Sequence, residues 1–204
     1  MTGAAQPGIW LEVITGGDAA AIDSFYAAGR LRALESLPGL RRIRRCPEVD
    51  GPRHVLVAEL EDVAAARDPL RAGLDGAPRL DTAPAPQTRG ILAADVPGSA
   101  AGDQDAPGIT FLVAMAVNPE REAEYNRWYD TEHIPILLAH SGWLAARRYR
   151  CESPVAEYLT VYRVASEHVV TPEVRAAVRA TEWSRDVLAT AFVTHTRAFL
   201  TDHQ

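Results

Sequence analysis

Residues 125–142 read YNRWYDTEHIPILLAHSG, and 103 positions earlier residues 22–39 read IDSFYAAGRLRALESLPG. Aligned without a gap, Phe25 falls on Trp128, Tyr26 on Tyr129, Leu34 on Leu137 and the turn glycine Gly39 on Gly142. Past the turn, Leu40 falls on Trp143, and Arg44 and Arg45 fall on Arg147 and Arg148. Two helices with one apolar spacing, each halted by a glycine, imply a chain that repeats.

The flanking segments keep the same order. Residues 9–14 (IWLEVI) and 109–117 (ITFLVAMAV) are short apolar runs rich in β-branched side chains, and both read as buried strands. Asp18 opens the first helix. Asn118 and Pro119 supply an N-cap and a first-turn proline for its counterpart, with Glu120 and Glu122 near the positive helix end. After the glycine turns come strand patterns at 54–60 (HVLVAEL) and 157–164 (EYLTVYRV), helices over 63–74 and 171–188, and closing strands at 89–95 and 192–200. The order is βαββαβ, twice. The expected fold class is α+β: tandem ferredoxin-like repeats packing as an intramolecular dimeric α+β barrel. The first repeat spans 1–95 and the second 108–204. The Pro-, Gly- and Asp-rich segment 96–107 (VPGSAAGDQDAP) reads as a linker.

Composition narrows the function classes. Of 204 residues, 47% are hydrophobic and 24% charged, with a net charge of -6, as in a folded, acidic, soluble domain. No apolar run approaches the ~20 residues that span a bilayer, and no signal-like start is seen, so a cytoplasmic protein without membrane partners is expected. The acidic balance argues against a nucleic-acid partner bound through phosphate neutralisation. Two cysteines, Cys46 and Cys151, do not make a disulfide scaffold. All 21 basic residues are arginine, which excludes lysine Schiff-base chemistry and a lysine-anchored pyridoxal cofactor. Neither a phosphate-binding glycine loop nor a GxSxG elbow is present.

Chemistry concentrates in the second copy. On a helix, Asn126, Tyr129 or Asp130, His133 and Leu137 share one face. Asp130 lies three residues before His133, within reach to orient its ring, and a carboxylate-oriented histidine is a general base suited to neutral pH. Pro135 removes a backbone donor and is expected to kink the helix beside this cluster. Trp128 and Trp143 supply apolar walls. His140, seven residues past His133, and Arg147, which matches Arg44, are further substrate-binding candidates. The competing reading is a core-facing aromatic stripe beside a surface ion pair. Against it, the first copy carries Ala27, Gly29, Arg30 and Arg32 where the second has Asp130, Glu132, His133 and Pro135. A cluster needed for folding would be needed in both. Asp130, His133 and His140 match no metal-ligand template, so no metal is expected.

The stretch NRWYDTEHIPILLAHSGWLAARRYR resembles the signature of EthD-like proteins of the dimeric α+β barrel superfamily, through Trp128-Tyr129-Asp130, Glu132-His133-Ile134-Pro135, Gly142-Trp143 and Arg147-Arg148-Tyr149. The resemblance implies a small cofactor-free enzyme (a cyclase, isomerase, decarboxylase or oxygenase) acting on aromatic or polyketide-like carbonyl compounds. His133 would be the acid/base, Asp130 its orienter, and Tyr129 or Asn126 would bond the developing oxyanion. Some members of the superfamily bind heme, an option that nothing in this sequence selects. A pseudo-dimer within the chain is implied, with a homodimer left open. The rival class is a non-catalytic barrel that binds a small molecule or forms assemblies.

Overall fold

The computed structural model describes residues 4–16, 18–75, 87–153 and 156–201. The chain divides into two compact units, the first running to Asp95 and the second over Val96–Thr201. In the first unit the order is β1 (Gly8–Thr15), α1 (Ala19–Phe25), a kinked turn (Tyr26–Arg30), α2 (Leu31–Glu35), β2 (Leu40–Pro47), β3 (Arg53–Leu60), α3 (Val63–Asp75) and β4 (Gln87–Asp95). Its strands pair antiparallel in the order β2-β3-β1-β4. Asp18 caps α1 by accepting from the Ala21 N–H at 2.8 Å, as its position before an alanine run implies. Trp10, Ile14, Ile22, Phe25 and Leu56 meet in the core between sheet and helices.

The second unit holds β5 (Ala101–Gly102), β6 (Ile109–Val117), a 3-10 turn (Pro119–Arg121), α4 (Glu122–Trp128), a π-helical turn (Tyr129–His133) and α5 (Ile134–Leu138). It continues with β7 (Trp143–Cys151), β8 (Tyr158–Val164), a 3-10 turn (Glu167–Val169), α6 (Pro172–Ala177), α7 (Glu182–Thr190) and β9 (Phe192–Leu200). The order β7-β8-β6-β9 is again antiparallel. Phe111, Val113, Met115 and Val117 alternate along β6 and enter one core with Tyr125, Trp128, Tyr129 and Ile134 of the helices. Gly142, at φ +88°, turns the chain from α5 into β7.

Three expectations need correction. The helix foreseen over 171–188 is two helices, because each of two threonines starts its own: Thr171 accepts from Val174 N–H and Thr181 from Ser184 N–H. The carbonyls exposed between them are taken by Arg185, whose Nη1 donates to Arg179 O and Ala180 O at 3.0 Å each. The segment 96–107 is not a free linker. Val96 N–H donates to Arg148 O at 3.0 Å, Ser99 Oγ bonds the same carbonyl at 3.2 Å, and Ala101–Gly102 pairs with β7.

The third correction concerns the helix break. Ile134 N–H donates to Tyr129 O, five residues back, and the widened turn precedes Pro135. Leu31 N–H does the same to Tyr26 O in the first unit, where Arg32 replaces the proline and Gly29 sits at φ +113°. The first unit therefore breaks its helix at the same place by a kink at Gly29, without a proline, whereas the second keeps helical angles through a π-helical turn.

Candidate functional site

The π-helical turn decides which side chains meet. An extra residue in the turn rotates everything after it, so His133 leaves the line of Asp130 and faces the sheet. Its ring lies 4.6 Å from the Trp128 ring and 4.8 Å from the Tyr129 ring, and its Nδ1 is buried without a hydrogen-bond partner. Burial, followed by the charges of Arg148 and Arg197, pushes the imidazole down to about 3. His133 is thus a neutral imidazole throughout the physiological range.

The ring lines a cavity of about 410 Å³ between the helices and sheet of the second unit. Its aromatic walls form a connected set. Phe111 stacks on Phe199 at 4.3 Å and on Tyr162 at 5.8 Å, and Trp143 meets Tyr162 edge-on at 5.2 Å. Tyr129 and Tyr162 join hydroxyls at 2.6 Å within this lining. Burial raises both phenols, so both stay protonated hydrogen-bond groups.

Asp130 does not orient His133. Its carboxylate, 43% exposed, accepts from Nη1 of Arg148 at 2.6 Å. Arg148 comes from β7, is fully buried, donates also to Asn126 Oδ1, and lies over the rings of Tyr129 (4.6 Å), Tyr158 (5.2 Å) and Tyr125 (5.3 Å). Asn126 in turn donates to Tyr158 OH at 2.9 Å. Asn126 and Asp130 therefore fasten α4 and the π-helical turn to the sheet.

Of the sequence candidates, Tyr129, His133 and Trp143 line the cavity. Trp128 backs it from behind the imidazole. Its Nε1 donates to Ser184 Oγ at 2.9 Å, and Ser184 Oγ donates to Glu132 at 2.6 Å, a relay that holds the indole. His140 ends the α5 turn, where its carbonyl accepts from Trp143 N–H at 3.2 Å, away from the lining. Arg147 points to the other face of β7, with its guanidinium 5.7 Å from the Tyr149 ring. Sequence reasoning missed Tyr162 and underrated Arg148. The period of two was the available signal: Tyr158, Thr160 and Tyr162 share one face of β8, and Ala146, Arg148 and Arg150 one face of β7.

Fifty-five solved chains match this one in structure. An anthrone oxidase-like protein superposes with a TM-score of 0.68 at 9% identity, over 98% of this chain and 92% of that one. A mutant chlorite dismutase from Candidatus Nitrospira defluvii gives 0.63 at 10% identity, over 96% and 92%. A proposed monooxygenase from Fusobacterium nucleatum gives 0.55 at 11%, over 98% and 94%. The fold is mixed α+β of the ferredoxin-like kind. No protein-family model and no curated protein matches the sequence.

The first unit makes a different use of the same positions. Arg30 stands at the position aligned with His133 and donates from Nε to Glu12 at 2.9 Å, and by strand register Glu12 matches Val113. Both are buried, at 3% and 0% exposure, so the first unit has an ion pair where the second has an imidazole and an aliphatic side chain. Burial and the Glu12 charge push Tyr26, the counterpart of Tyr129, far up.

An axial heme imidazole needs an acceptor on its second ring nitrogen. Nδ1 of His133 has none, and the ring is flanked by two aromatic planes, so the residues do not fit that role. Among the described residues no group of three His, Cys, Asp or Glu side chains is placed to hold a metal ion. Cys151, pushed up to about 12 by burial, is not a thiolate nucleophile.

Proposed function

We propose that the chain is a small cofactor-free enzyme that removes a proton from an aromatic or polyketide-like carbonyl compound in the second-unit cavity, with His133 as the base. The observation that carries this reading is a neutral imidazole lining an aromatic cavity beside the Tyr129–Tyr162 hydroxyl pair. A neutral ring accepts a proton without first losing one. Arg148 and Arg197 disfavour imidazolium in the free protein. An enolate or phenolate formed beside it supplies the missing counter-charge, so proton transfer becomes favourable where product anion and base lie together. The Tyr129–Tyr162 pair donates to that oxygen, and Trp143 with Phe111 holds the substrate plane.

Asp130 takes no part as a proton relay in this scheme, since Arg148 engages it. The EthD-like resemblance and a cytoplasmic setting belong to the same proposal. So does descent of the two units from one copy, supported by their common element order and by helix breaks at matching positions. Cyclisation, isomerisation and oxygenation begin with such an anion, and decarboxylation forms one as CO2 leaves. The anthrone oxidase-like and monooxygenase-type neighbours favour oxygenation.

His133→Asn keeps a polar side chain but no basic nitrogen. With the circular dichroism spectrum unchanged, turnover of anthrones or β-dicarbonyl compounds is expected to fall at least 100-fold. A folded variant with undiminished turnover removes His133 from the mechanism and favours a non-catalytic binding barrel. Absorbance of the purified protein tests the cofactor-free part: a Soret band lost in His133→Asn contradicts it.

A further inference from the structure

The mouth of the second-unit cavity carries a charge pattern that the proton-transfer scheme does not use. Arg175, Arg179 and Arg197 all line it, and no aspartate or glutamate does, in a chain whose acidic residues outnumber its arginines 27 to 21. Arg175 and Arg179 are four positions apart, at the end of α6 and just beyond it, on the face that also presents Val174 and Val178 to the cavity. Both are exposed. The Arg175 guanidinium has no ion-pair partner among the described residues, and the Arg179 guanidinium meets only the Arg175 carbonyl, at 3.4 Å. Arg197 projects from β9 close enough to lower both His133 and Tyr129. Cations gathered at an apolar opening without carboxylates repel one another and are stabilised when an anion binds among them.

We propose that the natural ligand is a planar aromatic acid, its rings seated against Phe111, Trp143 and Tyr162 and its carboxylate held at the mouth by Arg175, Arg179 and Arg197. Guanidinium forks match a carboxylate bidentately, and the aromatic walls take a flat ring system. A bound carboxylate near Arg197 also offsets part of the charge that opposes imidazolium formation. The inference rests on the reading of this cavity as the substrate site.

The test compares 9-anthracenecarboxylic acid with its neutral carboxamide, by tryptophan quenching and by calorimetry, at 50 and 300 mM salt. The acid is expected to bind at least 10-fold more tightly than the amide, and its advantage to shrink at high salt. In the triple variant Arg175→Gln, Arg179→Gln, Arg197→Gln the preference is expected to vanish while the amide binds as before. Arg32→Gln, an exposed change in the first unit, is expected to leave it intact. Equal binding of acid and amide by the parent protein overturns the anion site and leaves the cavity reading standing. Failure of both to bind a folded protein overturns the two together.

Discussion

At the scale of the residue, the protein's behaviour turns on a histidine that cannot easily be charged. In the unfolded chain an imidazole takes up its proton near 6.5. In the folded protein His133 resists until about 3. Between those values the unfolded state binds more protons, so stability is fully present above about pH 6.5 and is lost as the pH falls toward 3. Urea unfolding is expected to show a decline of about 2 kcal/mol between pH 7 and pH 4.5 that His133→Phe lacks. Equal slopes in the two proteins would mean that the ring is solvated. Arg148 is the second decisive residue. Arg148→Met removes a cation that depresses His133, so the imidazole is expected to titrate at higher pH by NMR. Burial still keeps it below its ordinary value, since burial is the larger cause. The same change strips the clamp on Asn126 and Asp130 and is expected to cost about 2–4 kcal/mol, less than for a fully buried pair because Asp130 regains water. Asp130 shows why residue-scale inference from spacing alone fell short. A carboxylate three positions from a histidine is a natural partner on a regular helix. Here an arginine on another element, brought close only by tertiary packing, claims it.

Among the elements, the π-helical turn matters most. Its presence at 129–133 was not legible, because an i→i−5 bond leaves no residue-type signature. Only Pro135 hinted at a disturbance, and the first unit breaks its helix at the matching place by a kink at Gly29. The strands and first helices were legible, since alternation and capping residues act locally. The split of α6 from α7 rested on two threonine caps inside what reads as one amphipathic stretch. Ser184, at the start of α7, ties that helix to α4 through Trp128 and Glu132. Ser184→Ala leaves a buried indole N–H without its acceptor and is expected to destabilise the protein by about 1–3 kcal/mol. Chemical denaturation measures this, and a change below a few tenths would show the relay to be dispensable. Gly142 fixes the entry to β7. An alanine there meets strain at φ +88° and the Val169 Cγ1 at 2.9 Å, so Gly142→Ala is expected to lower the thermal midpoint, whereas Gly98→Ala, also at positive φ but with open space around it, lowers it less.

Considered whole, the molecule presents one architecture twice with two chemistries. The order βαββαβ was visible in the sequence because each unit carries its own apolar pattern. The substitution of Arg30 and Glu12 for His133 and Val113 was half visible: the loss of histidine could be read from the alignment, but not that its place is taken by a buried ion pair. Glu12→Gln takes from the buried Arg30 its carboxylate partner and is expected to cost about 3–5 kcal/mol. The double change Glu12→Val with Arg30→His, which rebuilds the second unit's pair, is expected to cost clearly less than the two single changes added. Additive losses in that cycle would show that the two positions are not coupled.

The central claim is that His133, neutral in the free protein across the physiological range, accepts a proton from the bound ligand. Protein-catalysed deuterium exchange at the acidic C–H of an anthrone, followed by NMR from pH 8 to pH 5, tests it without knowledge of the natural substrate. The account predicts exchange that shows no acid limb near pH 6.5 and disappears in folded His133→Asn. Exchange that falls away through pH 6.5, or that persists in the variant, would contradict it.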